Sequence, residues 1–139
     1  MTNKIFLDTN VILDSVFNRK RFVDDAKSLL RLAKQRKLKI YISPVAVSSI
    51  YYIVKKNTSR TQAIKTLRQI LPIVKVLYIG PSIVNKAMLS NFKDFEDALQ
   101  NYCAEEANLT FIITRNIDDF SKSRLYIHTP KEYLAMIGE

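Results

Sequence analysis

Short apolar runs alternate with segments of helical periodicity along the whole chain, and this alternation limits the fold more than any other feature. Ile5-Phe6-Leu7 reads as a buried strand. Phe22, Ala26, Leu29, Leu30 and Ala33 then recur at helical spacing behind Asp24 and Asp25. Ile40 to Ile42 reads as a second strand, and Ser43-Pro44 as an N-cap and first helical residue ahead of Val47, Ile50, Tyr51 and Val54. Ser59 and Gln62 fit a capping box for a helix with Ala63, Leu67, Ile70 and Leu71 inward, which Pro72 stops. Val74 to Ile79 is a third candidate strand, and Gly80-Pro81 leads to a short helix on Ile83, Val84, Ala87 and Met88. A helix from Asp94 to Asn108 buries Phe95, Ala98, Leu99 and Tyr102 before strands at Thr110 to Thr114 and Leu125 to Ile127, and Pro130 opens the last helix. Strands and helices in this alternation imply a parallel sheet with helices on both faces and right-handed crossovers.

With 139 residues, 47% of them hydrophobic and 25% charged, residues 1–139 are expected to form a single domain with its own core. Cys103 is the only cysteine, so no disulfide framework exists. No signal-peptide pattern or membrane-length apolar run is visible, which points to the cytoplasm. Only Gly80 and Gly138 are glycines, which removes the Gly-rich phosphate loops.

Net charge is +9, and its distribution is uneven. From Ala26 to Lys93 the chain has no Asp or Glu but carries Lys or Arg throughout, including Arg31, Lys34, Arg36, Lys39, Lys55, Lys56, Arg60, Arg68 and Lys75. A positive surface of that extent attracts polyanions, with nucleic acid first and an acidic protein second.

The acids lie at particular places. Asp8, Thr9 and Asn10 follow the first strand, at the rim where open α/β sheets build ligand sites. Asp94 and Asp97 are three apart at a helix start and project from one side, whereas Glu96 is expected to face solvent. Arg115, Asn116, Asp118 and Asp119 follow the fourth strand. Each taken singly is also a good cap, turn or dipole-stabilising residue. Together they bring Asp8, Asp94, Asp97 and Asp118 or Asp119 towards one rim, where unpaired carboxylates repel. A hard divalent cation such as Mg²⁺ or Mn²⁺ relieves that repulsion and prefers oxygen ligands. Beside a basic surface, such a centre suits phosphodiester hydrolysis.

In order and spacing, Phe6-Leu-Asp8-Thr-Asn10-Val, Ile42-Ser-Pro44, Asp94-Phe-Glu-Asp97-Ala-Leu and Thr114-Arg-Asn116 with Asp119-Phe120 resemble the PIN-domain ribonucleases. The likeness is strongest to the small bacterial branch that includes type II toxin–antitoxin toxins. The resemblance implies a three-layer α/β/α sandwich around a central parallel sheet of four to five strands. It also implies Mg²⁺ or Mn²⁺ dependence, single-stranded RNA as substrate, homodimers and, in the toxin branch, an antitoxin partner. Asp8 and Asp97 match the family's two firmest metal-binding acids, and Asp94 and Asp119 match accessory acids. Two positions depart from the pattern: Ser49 stands where many members have Glu, and Asn116 where many have Asp.

The expected site is therefore Asp8, Asp94, Asp97 and Asp119 holding metal, Asn116 orienting it, and Arg115 and Asn10 contacting nucleic acid. Two other readings stand beside it. A degenerate PIN-like RNA-binding module fits Ser49 and Asn116. A phosphatase of the haloacid-dehalogenase type also begins with a strand ending in Asp, but it wants a second Asp where Asn10 stands. His128 and Cys103 read as structural. Tyr41, Tyr51 and Tyr52 are suited to core packing, with base stacking as the second use.

Overall fold

Ile5, Phe6 and Leu7 have no exposed surface, because the strand that carries them is the middle of a five-stranded sheet. The computed structural model describes residues 2–139. Its strands are β1 (Asn3–Leu7), β2 (Leu38–Ile42), β3 (Lys75–Val76), β4 (Phe111–Ile113) and β5 (Tyr126–His128). All pair in parallel, in the order β3-β2-β1-β4-β5. The helices are α1 (Thr9–Val16), α2 (Val23–Lys34), α3 (Pro44–Asn57), α4 (Arg60–Ile70), α5 (Pro81–Leu89), α6 (Phe95–Glu106) and α7 (Pro130–Met136).

Side chains alternate across the sheet and build two cores. Ile5, Leu7, Leu38, Ile40, Ile42 and Ile113 pack on one face against Val11, Ile12, Ala26, Leu29, Ile50, Ala63 and Tyr133 of α1, α2, α3, α4 and α7. Phe6 and Ile112 pack on the other against Ile83 of α5 and Cys103 and Ala104 of α6. This is the three-layer α/β/α sandwich. From β1 the chain builds outward through β2 and β3, then returns to β4 and β5 on the opposite side. The strand order thus reverses between β1 and β4, and in such sheets a crevice opens at the carboxyl ends of those two strands.

Local signals hold at the helix starts. Ser43 Oγ accepts from the Ala46 N–H, with Pro44 at the first helical position. Ser59 Oγ accepts from the Gln62 N–H, which is the serine half of the expected box; the reciprocal arrangement closes fully at Thr129 and Glu132 instead. The third strand is shorter than Val74 to Ile79, since only Lys75 and Val76 pair with β2 and Leu77 adds one further bond to Ile42. An edge strand has a neighbour on one side only, so β-branched composition alone does not extend it. Phe95, Val84, Met88 and Leu71, expected inward, are exposed. α5 buries the narrow stripe Ile83 and Ala87, and α6 uses Ala98, Cys103 and Ala104, leaving apolar neighbours a turn away outside. Among the described residues, no helix is long and apolar enough to cross a membrane.

Candidate functional site

Asp8 leaves β1 where the strand order reverses. Its backbone N–H donates to the Ile113 carbonyl at 3.0 Å, which ties it to the end of β4. It stands at the N-cap position of α1 without making a side-chain cap bond. Its carboxylate is instead gripped from two other elements. Oδ1 accepts from Gln100 Nε2 of α6 at 3.0 Å, and Oδ2 accepts from Thr114 Oγ1 at 2.8 Å. Asp8 is 4% exposed; burial pushes its pKa up, and the Gln100 and Thr114 bonds oppose that rise without cancelling it.

Gln100 and Thr114 are themselves fixed. Thr9 Oγ1 donates to Gln100 Oε1 at 3.4 Å, and the Asn116 backbone N–H donates to Thr114 Oγ1 at 3.1 Å. The exposed Asn116 therefore orients this region through its main chain. Sequence reasoning assigned Gln100 no role and gave Thr114 none beyond its place in a motif. A glutamine on a buried helix face, three residues after Asp97, was the available signal for the first.

α6 supplies most of the remaining acids. Asp94 is its N-cap, with Oδ1 accepting from the Asp97 N–H at 2.9 Å, so capping and site membership coexist. Asp8, Asn10, Ser49, Asp94, Glu96, Asp97, Gln100 and Asp119 line one cleft of about 250 Å³. A neighbouring cleft of about 330 Å³ shares Asp94, Asp97 and Asp119 and adds Lys93, Asp118 and Lys122. Glu96 corrects the expectation that it faces solvent. Its Oε1 accepts from Ser49 Oγ of α3 at 3.2 Å, and burial raises its pKa first, with the Ser49 bond opposing. The turn of α6 at its N-terminus lies against α3, which brings Glu96 round to the cleft.

Charge in this cleft is uncompensated. Asp97 is pushed up to about 7, by burial first and then by the charges of Asp8, Asp94, Asp119 and Glu96. Among the described residues, no group of three or more His, Cys, Asp or Glu side chains stands ready-made to hold a metal ion. The acids share a cleft without closing round a point.

Arg115 points elsewhere. Its guanidinium lies 3.5 Å from Asp14 Oδ1 and stacks 4.5 Å over the Phe22 ring. Asp14, with a side chain 1% exposed, also meets Arg19 at 3.1 Å, so this buried carboxylate on α1 sits between two arginines. His128 ends β5 with Nδ1 4.0 Å from Glu132, and Cys103 is buried between α6 and the sheet. Tyr41 and Tyr51 are half-buried against the cores, whereas Tyr52 is 63% exposed.

The fold recurs among known proteins. Residues 4–118 match the PIN domain family. Ribonuclease VapC1 of Aquifex aeolicus (strain VF5) is 27% identical over 139 residues, which is 95% of this chain and 94% of that protein. Among solved structures, the fold is similar to a chain of DNA-bound VapBC from Salmonella typhimurium, with 14% identity, a TM-score of 0.71, and coverage of 93% of this chain and 99% of that one. It is also similar to a chain of a toxin–antitoxin complex from Klebsiella pneumoniae, with 23% identity, a TM-score of 0.67, and coverage of 91% and 97%. Mycobacterium tuberculosis VapC20, described as a Sarcin-Ricin loop cleaving toxin, shares 14% identity and a TM-score of 0.61 over 78% of this chain and 86% of that one. The chain belongs to the PIN-domain family.

Proposed function

We propose that the protein is a metal-dependent endoribonuclease that hydrolyses phosphodiester bonds of single-stranded RNA, acting as the toxin of a toxin–antitoxin pair. The observation that carries this reading is the single cleft shared by Asp8, Asp94, Glu96, Asp97 and Asp119, with Asp97 held up at about 7 by burial and then by its acidic neighbours. The relative named a ribonuclease supports the activity, and the fold neighbours in toxin–antitoxin complexes support an antitoxin partner.

The donors suit a hard divalent ion. They are oxygen only, they carry excess negative charge, and Asp8 is oriented from behind by Gln100 and Thr114. Asp8, Asp94, Asp97 and Asp119 would hold Mg²⁺ or Mn²⁺. When bound, the ion supplies Lewis-acid polarisation at phosphorus and a lowered pKa for the attacking water. Gln100 and Thr114 prevent Asp8 from turning, and Asn116 holds the Thr114 hydroxyl through its N–H. Asn10 lines the cleft and contacts the RNA there. Lys93 and Lys122 flank the acids and draw the phosphate backbone towards them. Arg115, expected to contact nucleic acid, has its guanidinium committed to Asp14 and Phe22 and lines neither acidic cleft, so it serves to anchor the loop after β4.

Ser49 need not leave the site short of charge. Its hydroxyl holds Glu96, so a carboxylate from α6 occupies the side of the cleft that faces α3. One observation favours a second reading, an RNA-binding module without chemistry: no three acids are preassembled around a cation position. Cleavage of a mixed single-stranded RNA pool in Mg²⁺, Mn²⁺ or EDTA, with Asp8→Asn in parallel, separates the two. Metal-dependent cutting that disappears in the variant establishes the nuclease. RNA retained but uncut in every metal establishes the binding module.

A further inference from the structure

An uncovered basic surface runs along the β2–β3 side of the sheet, from Lys4 and Lys39 at the amino end of β1 and β2 to Lys75, which is level with Tyr41 and Phe6. Lys4 is four residues before Asp8, about 13 Å along β1 at roughly 3.3 Å per residue. Strand register places Lys4 directly beside Lys39, and Tyr41 directly beside Lys75. Lys39 and Tyr41 are two apart on one strand, so these four side chains share a sheet face. Tyr41 is half-buried, while the three lysines are exposed. A cleft of about 600 Å³ on the same surface is lined by Lys39 and Lys75 together with Lys34 and Arg36 from the end of α2.

No Asp or Glu lines this cleft, and none of Lys4, Lys34, Arg36, Lys39 and Lys75 is in an ion pair with a described residue. Lysines directly opposite one another on adjacent strands repel and weaken the pairing. Protection of a sheet edge accounts for Lys75 on β3 and for Lys39 on the stretch of β2 that β3 leaves uncovered, but not for Lys4 on the strand inside them. Something outside the fold must make the arrangement useful.

We infer that this surface binds the phosphate backbone of single-stranded RNA at a second place, outside the acidic cleft. The inference rests on the ribonuclease reading and adds to it a preference for strands long enough to reach both surfaces. Charge complementarity selects a polyanion, and the cations are spread along the surface as a series of phosphates requires. An acidic peptide added as a further strand is the weaker fit. The open edge on this side is broken into Leu38 to Ile40 of β2 and the two residues of β3, each run shorter than an ordinary strand.

The test compares the protein carrying Lys39→Gln and Lys75→Gln with the protein without them, both in an Asp8→Asn background so that no strand is cut. Binding of a fluorescent 20-nucleotide oligo(U) is titrated between 50 mM and 200 mM salt. Two lost phosphate contacts reduce the log–log salt slope by about 1.4 and weaken binding about ten-fold near physiological salt. The melting temperature stays level or rises, since a like-charge pair is relieved. In the otherwise wild-type protein with metal, the same double variant raises KM for the 20-mer while leaving cleavage of a dinucleotide, too short to reach both surfaces, unchanged. An unchanged slope and affinity with the 20-mer overturns the inference, and poly-glutamate binding that depends on Lys39 and Lys75 would then assign the surface to an acidic protein. RNA that binds through these lysines but is never cut overturns the nuclease and keeps the second surface. Absence of any RNA binding overturns both.

Discussion

Asp97→Asn isolates the electrostatic tension in the cleft from its hydrogen bonding. Asp97 uses its backbone N–H to bind Asp94, while its carboxylate faces the cleft, so an isosteric amide removes charge and leaves the helix cap intact. The Asp97 carboxyl is pushed from 3.8 to about 7. A raised pKa means that the folded state holds the proton more tightly than the unfolded chain. The associated stability is therefore fully present below pH 3.8 and is lost as the pH rises through about 7. About three pH units correspond to roughly 4 kcal/mol. Solvent reaches Asp97, and screening reduces this to about 1–2 kcal/mol. For a chain of this size that is a melting-temperature difference of about 3–7 °C. The assay is thermal unfolding in EDTA at pH 4, 5, 6, 7 and 8. The wild type loses stability across the range, the Asn variant follows a flatter curve, the two coincide near pH 4, and the variant melts higher at pH 8. Mn²⁺ then raises the wild-type midpoint and leaves the variant nearly unmoved. An Asn variant that melts below the wild type at pH 8 in EDTA would refute the reasoning, because Asp97 would then be making a favourable interaction.

Gln100→Leu takes one donor from Asp8 and the acceptor from Thr9, leaving buried polar groups unpaired; urea unfolding should show a loss of about 1–3 kcal/mol, with RNA cleavage falling as well. Asp14→Asn strips the buried partner from Arg19 and Arg115. Because both arginines are partly exposed, the cost should be about 2 kcal/mol, below the usual range for a broken buried pair, and an unmoved urea midpoint would show that the pair contributes nothing. Ser49→Glu should lower the metal-free melting point at pH 8 by adding a like charge beside Glu96, and adding Glu96→Ser to it should restore that point. Mn²⁺ stabilisation that survives in this exchanged variant shows that the cleft needs a carboxylate on that side and tolerates either helix as its source.

The parts of this molecule readable from sequence are those decided by local chemistry. Ile5-Phe6-Leu7 had to be a buried strand, Ser43-Pro44 had to start a helix, and Asp8 at the strand end marked the rim. What could not be read depended on which surfaces meet. Glu96 looked solvent-facing because its position on α6 alone does not reveal that α3 lies alongside; the Ser49 bond exists only in the folded arrangement. Gln100, three residues after Asp97 on a buried helix face, could be picked out in sequence, but its partner, a carboxylate 92 residues away, could not. Phe95 and Met88 were assigned inward on periodicity, which measures the width of an apolar stripe and not whether a neighbouring layer extends far enough to cover it. Arg115 lies beside the site in sequence, but the buried charge of Asp14 attracts its guanidinium more strongly than an open cleft does.

The acids of this site come from the end of β1, from α6 and from the loop after β4, so no local segment brings them together. Their mutual repulsion acts directly against the closure of β1, β4 and α6 on one another. What opposes it lies immediately beneath: Phe6 and Ile112 on one face, and Leu7 and Ile113 on the other, have no exposed surface. Each such side chain contributes about 1.5–3 kcal/mol through burial. One of them is therefore enough to offset the cost of burial and like charge at Asp97, and the cleft can persist without a cation. The strain is then available for binding, because a cation that relieves it gains affinity from a cost the apolar strands have already met. Placing the carboxylates over the most deeply buried part of the sheet, at the point where strand order reverses, is what makes a metal-free state of this site compatible with a stable fold.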